Sequence, residues 1–178
     1  MTIFPAAGKR YGVIINQLYI SMLPYILIGV AFVIVATYIG FLCHLIKGVP
    51  ASISETYYRG GQGWFTAVMV AAGFLVAIGV VHITPEPWQF LGFLQGAGLI
   101  FVGVAAQFKL PFVRPVHVAA ALIFGIASQT WVALVASPFL LLTWMLWPCC
   151  YHTPVRTFVA EALCIINIVS ATIVIYLS

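Results

Sequence analysis

The sequence predicts an all-α fold, a polytopic bundle of transmembrane helices with six spans, or five if one short segment does not cross. Three observations carry that prediction. Hydrophobic residues make up 64% of the chain and charged residues 6%, against roughly 45–50% and about 25% in soluble domains, so a water-facing surface cannot be covered. The apolar residues fall into blocks of span length, about 20 residues being enough to cross the hydrocarbon core. The few charges lie mainly between those blocks, where topology signals and headgroup contacts belong. A single integral membrane domain, residues 1–178, accounts for the whole length.

Taken in order, residues 1–17 are mixed and suit the membrane interface. Lys9 and Arg10 ahead of an apolar block resemble a signal peptide, but the block at 19–46 is about twice the length of a typical signal core, so it reads as a retained first span. Pro24 falls near its start, where proline is tolerable. The second span is expected at 64–83, closed by Thr84-Pro-Glu-Pro87, and the third at 88–108. Trp64 and Trp88 stand at span ends, where indole rings favour the headgroup zone. On the third span Gly92, Gly96, Gly103 and Gln107 recur at helical spacing with Gln95 alongside. The Gly92/Gly96 pair suits close approach of another helix.

Residues 116–150 are too many for one span and slightly few for two. The residue before a proline is pushed out of helical geometry, so the block divides at Ser137-Pro138 into a fourth span at 116–136 and a short fifth at 138–150. The alternative for 138–150 is a re-entrant or kinked segment. The sixth span is expected at 155–177, with Pro154 at its start. Six spans put Lys47, Arg59, Lys109, Arg114 and Arg156 in loops one, three and five, against Lys9 and Arg10 opposite, so those odd loops are expected to be cytoplasmic. No basic cluster suggests a nucleic-acid partner. Cys43, Cys149, Cys150 and Cys164 lie within or beside apolar blocks and read as buried thiols, not as a disulfide framework.

The most polar run, Pro50-Ala-Ser-Ile-Ser-Glu-Thr-Tyr-Tyr-Arg59, is the expected centre of any site. The odd-loop face also receives His44, Gln107, Arg114, His117, His152, Arg156 and Glu161. Glu161 lies inside an apolar helix, where a carboxylate needs a partner, protonation or a cavity; Arg156, Arg114 or His117 are its expected partners. Ligand or partner binding is therefore assigned to Ser54, Glu55, Arg59, Arg114, His117, Arg156 and Glu161. His117, Ala121, Gly125 and Ser128 form one stripe of span four beside Gln129, and Ala160, Cys164, Asn167 and Ala171 form a matching stripe of span six. Two such faces look inward at each other or at a shared cavity.

Specific chemistries are thinly signalled. His44, His117 and His152 are the candidate metal ligands, but no H-E-x-x-H or C-x-x-C spacing supports them, and no metal or cofactor is expected. Ser52 or Ser54 with a histidine would make a nucleophile and base, though without a G-x-S-x-G context. Gly60-Gly61-Gln62-Gly63 lacks the lysine of a phosphate loop.

Pro50, Ile53, Ser54 and Glu55, followed by Gly63 and Trp64, with His117 opening span four, resemble the six-span superfamily of damage-regulated autophagy modulators, FGF-receptor-activating-protein-like membrane proteins and their prokaryotic relatives. The resemblance covers mainly the first two spans. It departs at Tyr57-Tyr58-Arg59-Gly60-Gly61, where that group has an acidic, proline-rich continuation. It implies a fold better than a function. The leading expectation is a non-catalytic subunit that binds a lipid headgroup or a membrane partner, in the bilayer and as a homo-oligomer or within a complex. The alternatives are a membrane-embedded lipid hydrolase or transferase using Glu55 and His117 as catalytic groups, and a pore lined by Ser128, Gln129, Asn167 and Glu161.

Overall fold

The computed structural model describes residues 6–178, with side chains from Ser21 onward. The side chains of Lys9 and Arg10 and residues 1–5 of the expected interfacial segment lie outside the described residues. The elements are α1 (Ala6–Leu45), a 3₁₀ helix (Ser54–Arg59), α2 (Gln62–Ile83), a 3₁₀ turn (Glu86–Trp88), α3 (Gln89–Val104), α4 (Arg114–Trp131) prolonged by a π-helical turn (Val132–Ala136), a 3₁₀ stretch (Pro138–Leu146), α5 (Trp147–Cys150) and α6 (Arg156–Leu177). Among the described residues there is no strand. Five stretches are long and apolar enough to cross a membrane: Ser21–Leu45, Gln62–Ile83, Glu86–Val104, Arg114–Ala136 and Arg156–Leu177. The chain is an integral, multi-pass helical bundle.

The interior is built by close helix approach. A Cβ placed on Gly96 of α3 would stand 2.4 Å from the Ala77 Cβ and 2.7 Å from the Gly73 carbonyl oxygen of α2. Only residues without side chains let two backbones come that near. Gly98, on another face of α3, meets the Phe124 and Ala120 backbone of α4 in the same way. The small-residue positions of span three thus hold it against both neighbours. Helix α6 closes the bundle against α1, with the rings of Tyr25 and Tyr176 5.1 Å apart.

Two boundaries differ from expectation. Helix α1 starts at Ala6, well before residue 19. Helix α3 stops at Val104 and not at 108; just past its end the Ala105 carbonyl accepts from His117 Nδ1 at 3.0 Å in place of a further helical N–H. The division at Ser137-Pro138 is present, with Ser137 extended (φ −162°, ψ 130°), as the residue before a proline should be.

The short apolar leg at 138–150 connects two helices that start on the same face. Helices α4 and α6 both begin beneath the 50–59 segment: His117 bonds to Ser54, and the Phe158 N–H donates to the Ala51 carbonyl at 3.0 Å. Both helices run away from that face, so the chain between them must come back. Pro138–Cys150 makes the return, and the Trp147 indole N–H reaches the Arg156 carbonyl at 3.2 Å as it arrives. It is mainly 3₁₀ helix and lies outside the five stretches long enough to span a membrane.

Candidate functional site

The 50–59 segment folds over the ends of α4 and α6 as a lid. Its own turns come from local pairing. Ser52 Oγ accepts from the Glu55 N–H at 3.1 Å, and Glu55 Oε2 accepts from the Ala51 N–H at 2.9 Å. Thr56, fully buried, donates its hydroxyl to the Ile53 carbonyl at 2.5 Å and bonds to the Tyr38 hydroxyl of α1 at 3.0 Å. Gly60, at φ 101°, supplies the left-handed residue that turns the chain into α2.

Two further contacts pin the lid to the helices beneath it. Ser54 Oγ lies 3.0 Å from His117 Nε2, and Glu161 Oε2 accepts from the Ile53 N–H at 2.5 Å. The tautomer of His117 follows from its other bond. The Ala105 carbonyl can only accept, so Nδ1 carries the proton, and neutral Nε2 is left to accept from the Ser54 hydroxyl. The imidazole is also stacked on Phe108 (centroids 4.8 Å apart, planes at 28°), and Phe108 in turn meets Tyr58 edge-on. His117 and Ser54 are each 5% exposed.

Below the lid is a cavity of about 970 Å³. Apolar side chains of α1, α2, α3, α4 and α6 make most of its wall, with Leu141 and Trp144 from the return leg, while Ser54, Arg114, His117 and Glu161 cluster toward the lid end. Val118, Leu122 and Ile126 form one stripe of α4 that borders the cavity yet is 45–67% exposed. The cavity therefore opens sideways along α4, toward the lipid.

The expected residues divide accordingly. Ser54, His117, Arg114 and Glu161 share the cavity. Glu55 does not reach His117: its carboxylate is bonded to Arg59 at 2.9 Å and to the Ala51 N–H on the outer side of the lid. That guanidinium bond, with lesser help from the Ala51 amide, holds the Glu55 carboxyl below the usual glutamate range. The pairing of Glu161 with Arg156, Arg114 or His117 is absent; among the described residues Arg59–Glu55 is the ion pair, and a backbone amide satisfies Glu161 instead. Arg156 is exposed and lies over the Tyr151 ring. His44 and His152 are exposed and stand apart from His117, and among the described residues no three His, Cys, Asp or Glu side chains gather as metal ligands.

The two polar stripes do face each other, but as a bonded network. Gln129 Oε1 accepts from the Asn167 amide at 2.7 Å and from the Trp144 indole at 2.9 Å, and Asn167 Oδ1 accepts from the Thr143 hydroxyl at 2.9 Å. Two of the four partners lie on the return leg, whose role the apolar pattern did not disclose. The Ala105 carbonyl and the Phe108 ring were also missed; a backbone acceptor at a helix end leaves no side-chain signal. Gln95 is fully buried, and neither of its amide atoms has a partner among the described residues.

Fold and site together define a class, a multi-pass helical membrane protein with a laterally open apolar cavity under a polar lid. No protein-family model, curated protein or solved structure matches the chain.

Proposed function

We propose that the cavity binds the acyl chain of an amphiphilic lipid, with the polar end of that lipid held beneath the lid near Arg114, Ser54, His117 and Glu161. The carrying observation is the cavity itself. Its volume is within the range of small-molecule sites and its wall is mostly apolar, with Ser54, Arg114, His117 and Glu161 bordering it near the lid and Gln129 and Thr130 further along α4; a few placed polar groups in an apolar wall are how such sites orient a ligand. A side opening toward the bilayer lets the chain enter without crossing water.

The pore reading has less behind it, because Gln129, Asn167 and Thr143 bond to one another and to Trp144 across the helices. We place the lid on the cytoplasmic side, on the grounds that Lys47, Arg59, Lys109, Arg114 and Arg156 all flank that face. Labelling of a single cysteine at position 59 from each side of sealed vesicles tests this placement.

The binding test is cross-linking of a photoreactive long-chain lipid to the full chain in nanodiscs. Cross-links should map to cavity positions such as Leu122 and Ile165. Ala121→Trp, which fills the cavity from α4, should reduce them at least tenfold with the helical signal unchanged. Cross-links confined to outward positions such as Phe41 and Phe93, and indifferent to Ala121→Trp, would overturn the proposal.

A further inference from the structure

The geometry points to a nucleophile and base within that cavity: we infer that Ser54 and His117 form a catalytic dyad that cleaves or transfers the acyl ester of a bound lipid. The inference rests on the lipid-binding reading and adds a covalent step to it. Three observations carry it. The Ser54 hydroxyl is 3.0 Å from His117 Nε2, and the other ring nitrogen is held at 3.0 Å by the Ala105 carbonyl. A nucleophile within hydrogen-bond reach of a base, with the base oriented by a third group, is the arrangement that activates serine. Both residues are shielded from bulk water yet border the cavity, so the face they offer a reactant is the one the acyl chain would enter by. The lid is also held from two sides next to the serine: Glu161 fixes the N–H of the preceding residue, and Thr56 is tied to Tyr38. Glu161 acts here as a positioning residue.

In the step, Ser54 Oγ attacks the ester carbonyl carbon and its proton passes to His117 Nε2. The carbon–oxygen bond to the lipid alcohol breaks, and the departing oxygen takes that proton back. The resulting acyl group on Ser54 is then removed by water, giving a carboxylic acid, or by a second alcohol, giving a new ester; His117 accepts and returns the proton again. The Ala105 carbonyl steadies the protonated ring through Nδ1–H. Arg114, which opens α4 one turn before His117 and borders the same cavity, is the cation available to the developing oxyanion.

The test is covalent labelling of the wild-type chain in nanodiscs by a long-chain alkyl fluorophosphonate, with the adduct located by peptide mass spectrometry. Ser54 should carry it. His117→Gln retains an amide that can bond to Ser54 but cannot take up its proton, so labelling should slow at least about 100-fold, while amide exchange at Ile53 shows the lid still docked. A wild-type chain that cross-links lipid in its cavity but accepts no phosphonate at Ser54 overturns the dyad and leaves lipid binding standing. Equal labelling of wild type and His117→Gln also overturns it. Labelling of Ser54 by a short-chain phosphonate, with no lipid cross-link in the cavity, supports the dyad and removes the lipid-binding reading.

Discussion

Replacing Glu161 tests how the lid is held, and its size can be worked from one bond. The Glu161 carboxylate is the acceptor for the Ile53 N–H, and Ile53 is 5% exposed. Glu161→Ala leaves that amide buried with nothing to bond to, which costs about 1–3 kcal/mol. The loss should be local, because Thr56–Tyr38, Ser54–His117 and the Phe158–Ala51 backbone bond still tie the segment down. Amide exchange at Ile53 reads it directly: a change of about 1–3 kcal/mol is roughly a 5- to 150-fold faster exchange. Glu161→Gln keeps a carbonyl oxygen at the same reach, so its effect should stay within about tenfold of wild type. If the alanine variant leaves Ile53 exchange unchanged, or the glutamine variant loosens it as much as alanine does, the carboxylate is not what pins the lid.

Three further outcomes are expected. Gly96→Ala sets a methyl against Ala77 and the Gly73 carbonyl and should destabilise by about 1–3 kcal/mol in denaturation titrations, whereas Gly40→Ala, with nothing within 4 Å, should be neutral or slightly stabilising. Gln95→Leu removes two buried amide atoms that lack partners and should raise Tm in thermal scans; a fall in Tm would mean the amide is satisfied by something bound. The Glu55 carboxyl has a lowered pKa through its Arg59 bond, so its contribution to lid order is present at neutral pH and is lost as pH falls through the depressed value, below the usual ~4.3. That contribution is small, since Arg59 is more than half exposed and such pairs are weak. A Glu55→Gln chain should accordingly show a flatter acid limb in lid exchange than wild type.

Much of the bundle was legible because its signals are compositional. Apolar blocks set the spans, Pro138 set the break after Ser137, and the Gly92/Gly96 spacing marked a face that does pack against α2. Helix ends were less legible where a backbone carbonyl is taken by a side chain of another helix, as at Ala105. The site was readable in part for the same reason. Ser54 and His117 were visible as polar residues on one membrane face, and they meet. The partner of Glu161 was not, since the Ile53 amide is a group that every residue except proline possesses. Glu55 drew attention as one of three acids in the chain, yet its carboxylate bonds locally, to Arg59 and to the Ala51 N–H, and orders the lid from outside. Trp144 and Thr143 could not be placed, because 3₁₀ geometry erases the helical periodicity that would have aimed them at Asn167.

The return leg has a consequence for the surrounding bilayer. Its 3₁₀ stretch has nine residues and α5 has four, a reach of roughly 24 Å at 3₁₀ and α rise, against about 30 Å of hydrocarbon core. Phe139, Leu142 and Met145 point outward and are 59–77% exposed, so lipid tails must wet this leg over its whole height. Where this leg crosses, a shortfall of roughly 6 Å would draw the headgroup surfaces together beside it, at fractions of a kcal/mol per Å. Leu141 and Trp144 of the same leg line the cavity. A short leg of this kind beside the chamber favours a thin bilayer, so the protein should partition into short-chain bilayers in preference to thick, sterol-stiffened ones.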